Sequence, residues 1–157
     1  MQECAIYREK RLDAICPKNQ NVCKPVPRIT VATLLRTEHR HSLASLPYFF
    51  CDSPDCDVVY VSASGREVIT TSQLSVRVGV KETEDPIPLC YCFNFDRKAI
   101  WDDIRLKGTT DIPKIIAQRI KAGDCRCQLT NPSGSCCLGD IYRAVKQAEK
   151  SGKAQDR

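Results

Sequence analysis

The chain carries 11 cysteines in 157 residues, and most of them fall into groups. The densest lie in the second half. Cys90-Tyr91-Cys92 comes first, then Cys125-Arg126-Cys127, then Cys136-Cys137 behind the turn Asn131-Pro132-Ser133-Gly134. A C-x-C pair, a stretch that reads as two short helices and a second cysteine group can together hold a [2Fe–2S] cluster, which takes four thiolates. The tight pair cradles one iron, and the group brought back by the helical hairpin cradles the other. The segment after Cys92 and the segment after the NPSG turn each lead into a helix start. Amide N–H groups there point at anionic sulfur and favour negative charge, and such hydrogen bonds help set a cluster's potential. Gly134 is free to take a positive φ and let the backbone approach the sulfides. Cys125 and Cys136 each sit beside another cysteine. Either could replace a neighbour as ligand, stay a spectator, or contribute to a soft Cu(I) site.

The first half holds Cys16, Cys23, Cys51 and Cys56. Zinc knuckles space their cysteines C-x2-C to C-x4-C. Cys51 and Cys56 fit as C-x4-C around a Pro turn, and the alternative for them is a pair of reduced core thiols. Cys16 and Cys23 are C-x6-C, with Asn19 where a C-x2-C partner would stand. A closed structural zinc site takes four tetrahedral ligands, so Cys16 and Cys23 are the natural complement to Cys51 and Cys56. Zinc binding contributes folding free energy on the order of ten kcal/mol in small fingers. Cys4 reads as a free thiol, and His39 and His41, set among charges, read as exposed side chains rather than ligands.

Composition points the same way. With 6% aromatic residues, 9 Pro and 7 Gly, each half has few large side chains for a core, and small units then need metals or disulfides. Met1 to Ala14 has no apolar secretory core, and no apolar run is long enough to span a membrane. The expected compartment is therefore the reducing cytoplasm, where clustered cysteines are metal ligands rather than cystines. A net charge of +5 is mild and reads as a solvated surface, not a nucleic-acid site. No nucleophile–base pair or Gly-rich phosphate loop stands out, so the chain is not expected to be an enzyme in its own right.

These sites demand an α+β architecture: a zinc-ribbon-like β unit over 15–83, then a helical [2Fe–2S] module over 84–148, with flexible ends at 1–14 and 149–157. Strands enter and leave the second knuckle at Tyr48–Phe50 and Val58–Val61. Val68–Thr71 and Leu74–Val80 alternate as further strands, and 81–88 reads as the linker. A short helix-like stretch covers 30–41, with Val31, Leu34 and Leu35 on one side. In the second half Asp96 is the N-cap of a helix over 97–106 that Gly108 stops. Pro113 stands in the first turn of the next helix, which presents Ile112, Ile115, Ile116 and Ile120 as one stripe and ends at Gly123. A third helix runs from about Cys137 through Ala148.

Several segments in order resemble one known family. They are the Cys16-Pro17 knuckle, Pro27-x-x-Thr30-Val31, the Tyr48-to-Tyr60 hairpin with its C-x4-C, Arg77 to Glu82 (RVGVKE), Pro88-x-Cys90-Tyr91-Cys92, and Cys127-x3-NPSG-x-Cys136-Cys137. From about Cys16 to about Gly139 the chain resembles the amino-terminal domain of the CopZ copper chaperone family and its stand-alone relatives. The helical half is also similar to bacterioferritin-associated ferredoxin modules, which end in C-x2-C where this chain does not. The resemblance implies one zinc in front and one [2Fe–2S] cluster behind. By motif position it implies cluster ligands Cys90, Cys92, Cys127 and Cys137, and zinc ligands Cys16, Cys51 and Cys56, with the remaining zinc position falling on Asn19. Either Cys23 substitutes there or the site is incomplete. The family's copper-binding M-x-C-x2-C loop has no counterpart in this sequence, whose only Met is Met1, so direct copper-chaperone activity does not carry over.

The leading expectation is a cytoplasmic one-electron carrier with a structural zinc, linked to copper handling. Its partner would be a redox or metal-transfer protein, such as a copper chaperone or copper-exporting ATPase. Two other classes remain: a thiol-rich binder that sequesters Cu(I) or another soft metal, and a structural adaptor with no redox role.

Overall fold

Cys51 and Cys56 sit on the loop of a β-hairpin, and that hairpin sets the architecture of the front half. The computed structural model describes residues 14–155 apart from 44 and 46. Cys4, most of the expected amino-terminal arm and residues 156–157 lie outside the described residues. Strands β1 (Ala14–Ile15), β2 (Val22–Val26), β3 (Tyr48–Phe50), β4 (Val58–Ser62) and β5 (Val68–Thr70) form one antiparallel sheet in the order β1-β2-β3-β4-β5. The register places Ala14 opposite Cys23, Val26 opposite Tyr48 and Phe50 opposite Tyr60. Alternation along β3 divides its side chains between two cores, because successive residues of a strand face opposite sides. Tyr48 and Phe50 pack with Val31, Leu34 and Leu35 of helix α1 (Arg28–Leu34) and its end, whereas Phe49 packs with Val58, Val61 and the four front cysteines.

Two expectations for this half differ from the structure. The helix over 30–41 is interrupted: α1 stops at Leu34, Leu35 is extended, and a separate 3-10 turn covers Thr37–Ser42. Residues 74–80 do not form a strand. A capping box between Thr70 and Gln73 turns the chain at 71–73, and the backbone beyond it pairs with the end of α1. The Arg36 amide donates to the Gln73 carbonyl at 2.9 Å and the Ser75 amide to the Leu34 carbonyl at 2.8 Å. The valine alternation therefore has no neighbouring strand to serve: Val78 is buried and Val80 exposed.

In the rear half, β6 (Pro88–Cys90) pairs with β7 (Phe95–Asp96) across the turn that carries Cys92. Asp96 caps α2 (Arg97–Lys107), its carboxylate accepting from the Ala99 amide at 2.8 Å, and Gly108 closes it at φ 76°. Helix α3 (Ile112–Lys121) starts with Pro113 in its first turn. Its stripe is narrower than expected: Ile112 and Ile116 are buried and Ile120 packs at the edge of the core, but Ile115 is 40% exposed. A short α4 (Cys127–Thr130) precedes the NPSG turn, and α5 (Leu138–Gln155) continues well past Ala148. Residues 149–155, expected as part of a flexible tail, are thus helical. Ile100, Ile104, Ile116, Ile141 and Ala144 form a core that includes Cys90 and Cys137.

The halves interlock through the rear cysteine loop. Thr30 of α1 donates its hydroxyl to the Gln128 carbonyl at 2.6 Å, and the buried Tyr60 hydroxyl donates to the Pro132 carbonyl at 2.5 Å. Gly134 (φ 67°) nests against α1, where a Cβ would lie 2.7 Å from Pro27 Cδ and 3.0 Å from Thr30 Oγ1. Arg97 at the start of α2 grips Asp85 with two hydrogen bonds of 2.9 Å, and Arg77 binds Glu82 and the Glu84 and Pro86 carbonyls. The stretch read as a linker is thereby fastened to both halves.

Candidate metal centres

The β1–β2 and β3–β4 loops bring the front thiols together. Cys16 ends β1, with its amide on the Asn21 carbonyl at 2.9 Å, and Cys51 ends β3, with its amide on the Val59 carbonyl at 2.8 Å. The sulfurs of Cys16, Cys51 and Cys56 all lie within 4.8 Å of one another, and Cys16 and Cys56 are 3.8 Å apart. Tetrahedral zinc with Zn–S of about 2.3 Å sets its sulfurs about 3.8 Å apart, so this group fits the ion. Burial opposes ionisation of Cys51, but the amide and hydroxyl of Ser53 and the Lys81 charge outweigh it and hold the thiol below its usual range. Burial pushes Cys56 up. Lys81 also donates to the Ser53 and Cys56 carbonyls, both at 2.8 Å, and so fixes the second knuckle. Sequence reasoning assigned Lys81 only to the linker; its place in the RVGVKE segment was the available signal.

The fourth front position is divided between two residues. Cys23 is buried beside Cys51, and burial first, then the neighbouring thiols, push it up to about 12. Its sulfur stands outside the mutually close trio and 3.8 Å from the Asn21 carbonyl. The Asn19 amide nitrogen lies 3.8 Å from the Cys51 sulfur. Neither His39, half-buried, nor His41, exposed, joins a metal-ligand group among the described residues.

The rear thiols converge from both ends of the α2–α3 hairpin. The Cys90 sulfur faces Cys137 and the amides of Cys92, Phe93 and Phe95. Its hydrogen bond with Cys137 lowers it to about 6, and the same bond raises Cys137. Cys92 lies 3.7 Å from Cys127, which lies 3.3 Å from Cys125; these three sulfurs form a second mutually close trio. Burial, then the Cys125 and Cys92 thiols, push Cys127 up, while the Cys137 amide donates to its sulfur. The Arg126 amide donates to Cys92 Sγ at 3.1 Å, and the Thr130 hydroxyl is 3.2 Å from the same atom. Asn131 shapes the return: its Oδ1 accepts from the Ser133 amide at 3.1 Å and its Nδ2 donates to the Ser135 carbonyl at 3.0 Å. Cys136 is exposed. All ten cysteines among the described residues are free thiols.

Comparison with known proteins gives this arrangement a lineage. The family model described as the CopZ zinc binding domain matches residues 13–75. The copper chaperone CopZ of Archaeoglobus fulgidus is 36% identical over 97 residues, which is 61% of this chain and 45% of that protein. The X-ray structure of the Archaeoglobus fulgidus CopZ N-terminal domain superposes with a TM-score of 0.69 at 30% identity, covering 83% of this chain and 96% of that one.

This chain belongs to the CopZ N-terminal domain family. Its match spans less than half the length of the archaeal chaperone. The zinc-binding segment of the family contains Cys16, Cys23, Cys51 and Cys56, and the structural match extends over the mixed sheet-and-helix architecture described above. No helix among the described residues is long and apolar enough to cross a membrane.

The rear residues fit a thiolate-ligated group by the chemistry of their donors. Cys90 and Cys137 are buried sulfurs in an apolar core, Cys127 is buried beside the sulfurs of Cys92 and Cys125, and backbone amides are aimed at the sulfurs of Cys90, Cys92 and Cys127. N–H donors around sulfur favour its anionic form.

Proposed function

We propose that this CopZ-family chain is a metal-handling electron carrier. Its front thiols, Cys16, Cys51 and Cys56 with Cys23, hold a structural zinc in a ribbon-like β unit. Its rear thiols, Cys90, Cys92, Cys127 and Cys137, hold a [2Fe–2S] cluster in the helical module. The observation that carries this reading is the meeting of Cys90 and Cys92 with Cys127 and Cys137, supplied from opposite ends of a helical hairpin and all free. When bound there, a [2Fe–2S] cluster supplies a one-electron couple. The chain's own residues set its surroundings: the amides of Phe93, Phe95 and Arg126 hold negative charge on the sulfurs, and Arg119 lies 4.2 Å over the Phe93 ring next to Cys92. Amide donors and nearby cations raise a cluster's potential by favouring added negative charge.

The name of the archaeal relative points this chemistry at copper, with a copper chaperone or copper-exporting ATPase as the partner class. The reaction is electron or metal transfer rather than turnover of an organic substrate. A second reading, sequestration of Cu(I), is favoured by the exposed Cys136 and by Cys125, thiols beyond those the cluster uses. Anaerobic purification with zinc, iron and sulfide analysis, followed by a Cu(I) titration against a chelator, separates the two. Bound zinc with equal iron and sulfide is expected. Iron-free protein that withdraws Cu(I) from the chelator supports the second reading.

A further inference from the structure

The rear half holds two thiols more than a four-thiolate cluster uses, Cys125 and Cys136, and the first of them is not remote. Cys125 Sγ is 3.3 Å from Cys127 Sγ, and both lie within 4.8 Å of Cys92 Sγ. Cys125 and Cys127 are separated by Arg126 alone, and the Arg126 amide is fixed on Cys92 Sγ at 3.1 Å. That hydrogen bond anchors the backbone midway between the two sulfurs, so either can reach the corner beside Cys92 without moving the anchor. Their settings differ. Cys127 is buried at the start of α4, anchored at its far side by the Cys137 amide, whereas Cys125 is half-buried in the loop that leaves Gly123. Gly123 takes φ 82° with open space around it, which leaves the approach to Cys125 room to adjust.

We propose that Cys125 and Cys127 are interchangeable ligands at one corner of the rear centre, with Cys127 the inner position and Cys125 the outer. The inference rests on the cluster reading above. The exchange is balanced: Cys125 gives up its thiol proton and forms an Fe–S bond, the Fe–S bond to Cys127 breaks, and Cys127 takes up a proton. No electron moves and the total charge is unchanged. The outer position brings the coordinated sulfur closer to solvent, so the two states differ in hydrogen bonding and burial, the properties that tune such centres.

The test uses the whole chain, prepared anaerobically as Cys92→Ala, Cys125→Ala, Cys127→Ala and the Cys125→Ala/Cys127→Ala double variant. Visible absorption and iron content report the cluster, and zinc content reports that the front half has folded. We expect Cys125→Ala and Cys127→Ala each to keep iron and colour, with the Cys127→Ala absorption bands displaced from wild type. The double variant and Cys92→Ala lose both, with zinc retained. Loss of iron in Cys127→Ala equal to that in Cys92→Ala overturns the exchange. So does loss in Cys125→Ala with Cys127→Ala intact, which makes Cys125 the sole ligand. Iron-free wild type is a different failure, since it removes the cluster reading itself.

Discussion

Replacing Gly134 with alanine tests the seat on which the rear cysteine loop rests. Gly134 sits at φ 67°, and a Cβ there would stand 2.7 Å from Pro27 Cδ, 3.0 Å from Thr30 Oγ1 and 3.2 Å from Val26 Cγ2. The left-handed conformation costs a non-glycine residue about 1–2 kcal/mol. Forcing a methyl into a filled site costs about 1–3 kcal/mol more. Pro27 cannot swing aside, and Thr30 cannot rotate without releasing the Gln128 carbonyl that it holds at 2.6 Å. Gly134→Ala should therefore destabilise by about 2–5 kcal/mol, a large share of a typical total of about 5–15 kcal/mol. Gly108→Ala is the control: Gly108 has φ 76° but open space around it, so it carries the conformational cost alone. The assay is denaturant unfolding of anaerobic, metal-loaded protein, comparing midpoints at unchanged slope. If Gly134→Ala loses no more stability than Gly108→Ala, the loop is not seated on α1 and the coupling of the two halves is wrong.

Cys90→Ser or Cys137→Ser should bleach the visible absorption while zinc content stays unchanged, read by absorption and metal analysis; simultaneous zinc loss would show that the centres are not separate. Asp96→Ala removes the acceptor of the Ala99 amide at 2.8 Å and should cost about 1 kcal/mol, measured by denaturant unfolding, with Asp96→Asn keeping most of the cap. Burial holds the Tyr60 phenol above its ordinary value of 10.0. Its folded pKa is raised, so the stability linked to it is fully present below pH 10 and is lost as pH rises beyond that. Tyr60→Phe should be less stable by about 1–3 kcal/mol at pH 7, because the buried Pro132 carbonyl loses its donor. The gap to wild type should narrow above pH 10, as followed by unfolding at a series of pH values.

Local chemistry made much of this legible in the sequence. Asp96, Gly108, Pro113 and Gly123 mark helix ends that depend only on neighbouring backbone, and they stand where expected. The C-x4-C hairpin was legible because a Pro turn and β-branched residues act within a dozen positions. The fate of 74–80 was not, since alternation states which side chains are apolar but not whether a strand lies alongside. There the backbone turned to Leu34 and Gln73 instead. Nor did the sequence reveal why Gly79 is glycine: a Cβ would collide with the Pro88 carbonyl oxygen. The grouping of Cys92 with Cys125 and Cys127, and the seating of Gly134 on Pro27, join positions far apart in the chain, which spacing alone cannot specify. The front site shows the same boundary. Motif position leads to Asn19, and the β1–β2 register carries Cys23 to the edge of the trio.

In the proposed function the rear thiols serve a pair of irons and not one another. Low-temperature electron paramagnetic resonance of the anaerobic protein, before and after dithionite, tests it most directly. The oxidised protein should be silent, and reduction should produce the spin-one-half signal of a [2Fe–2S] centre that disappears again on reoxidation. A protein silent in both states, with its rear cysteines all alkylated rapidly by iodoacetamide, would contradict the account.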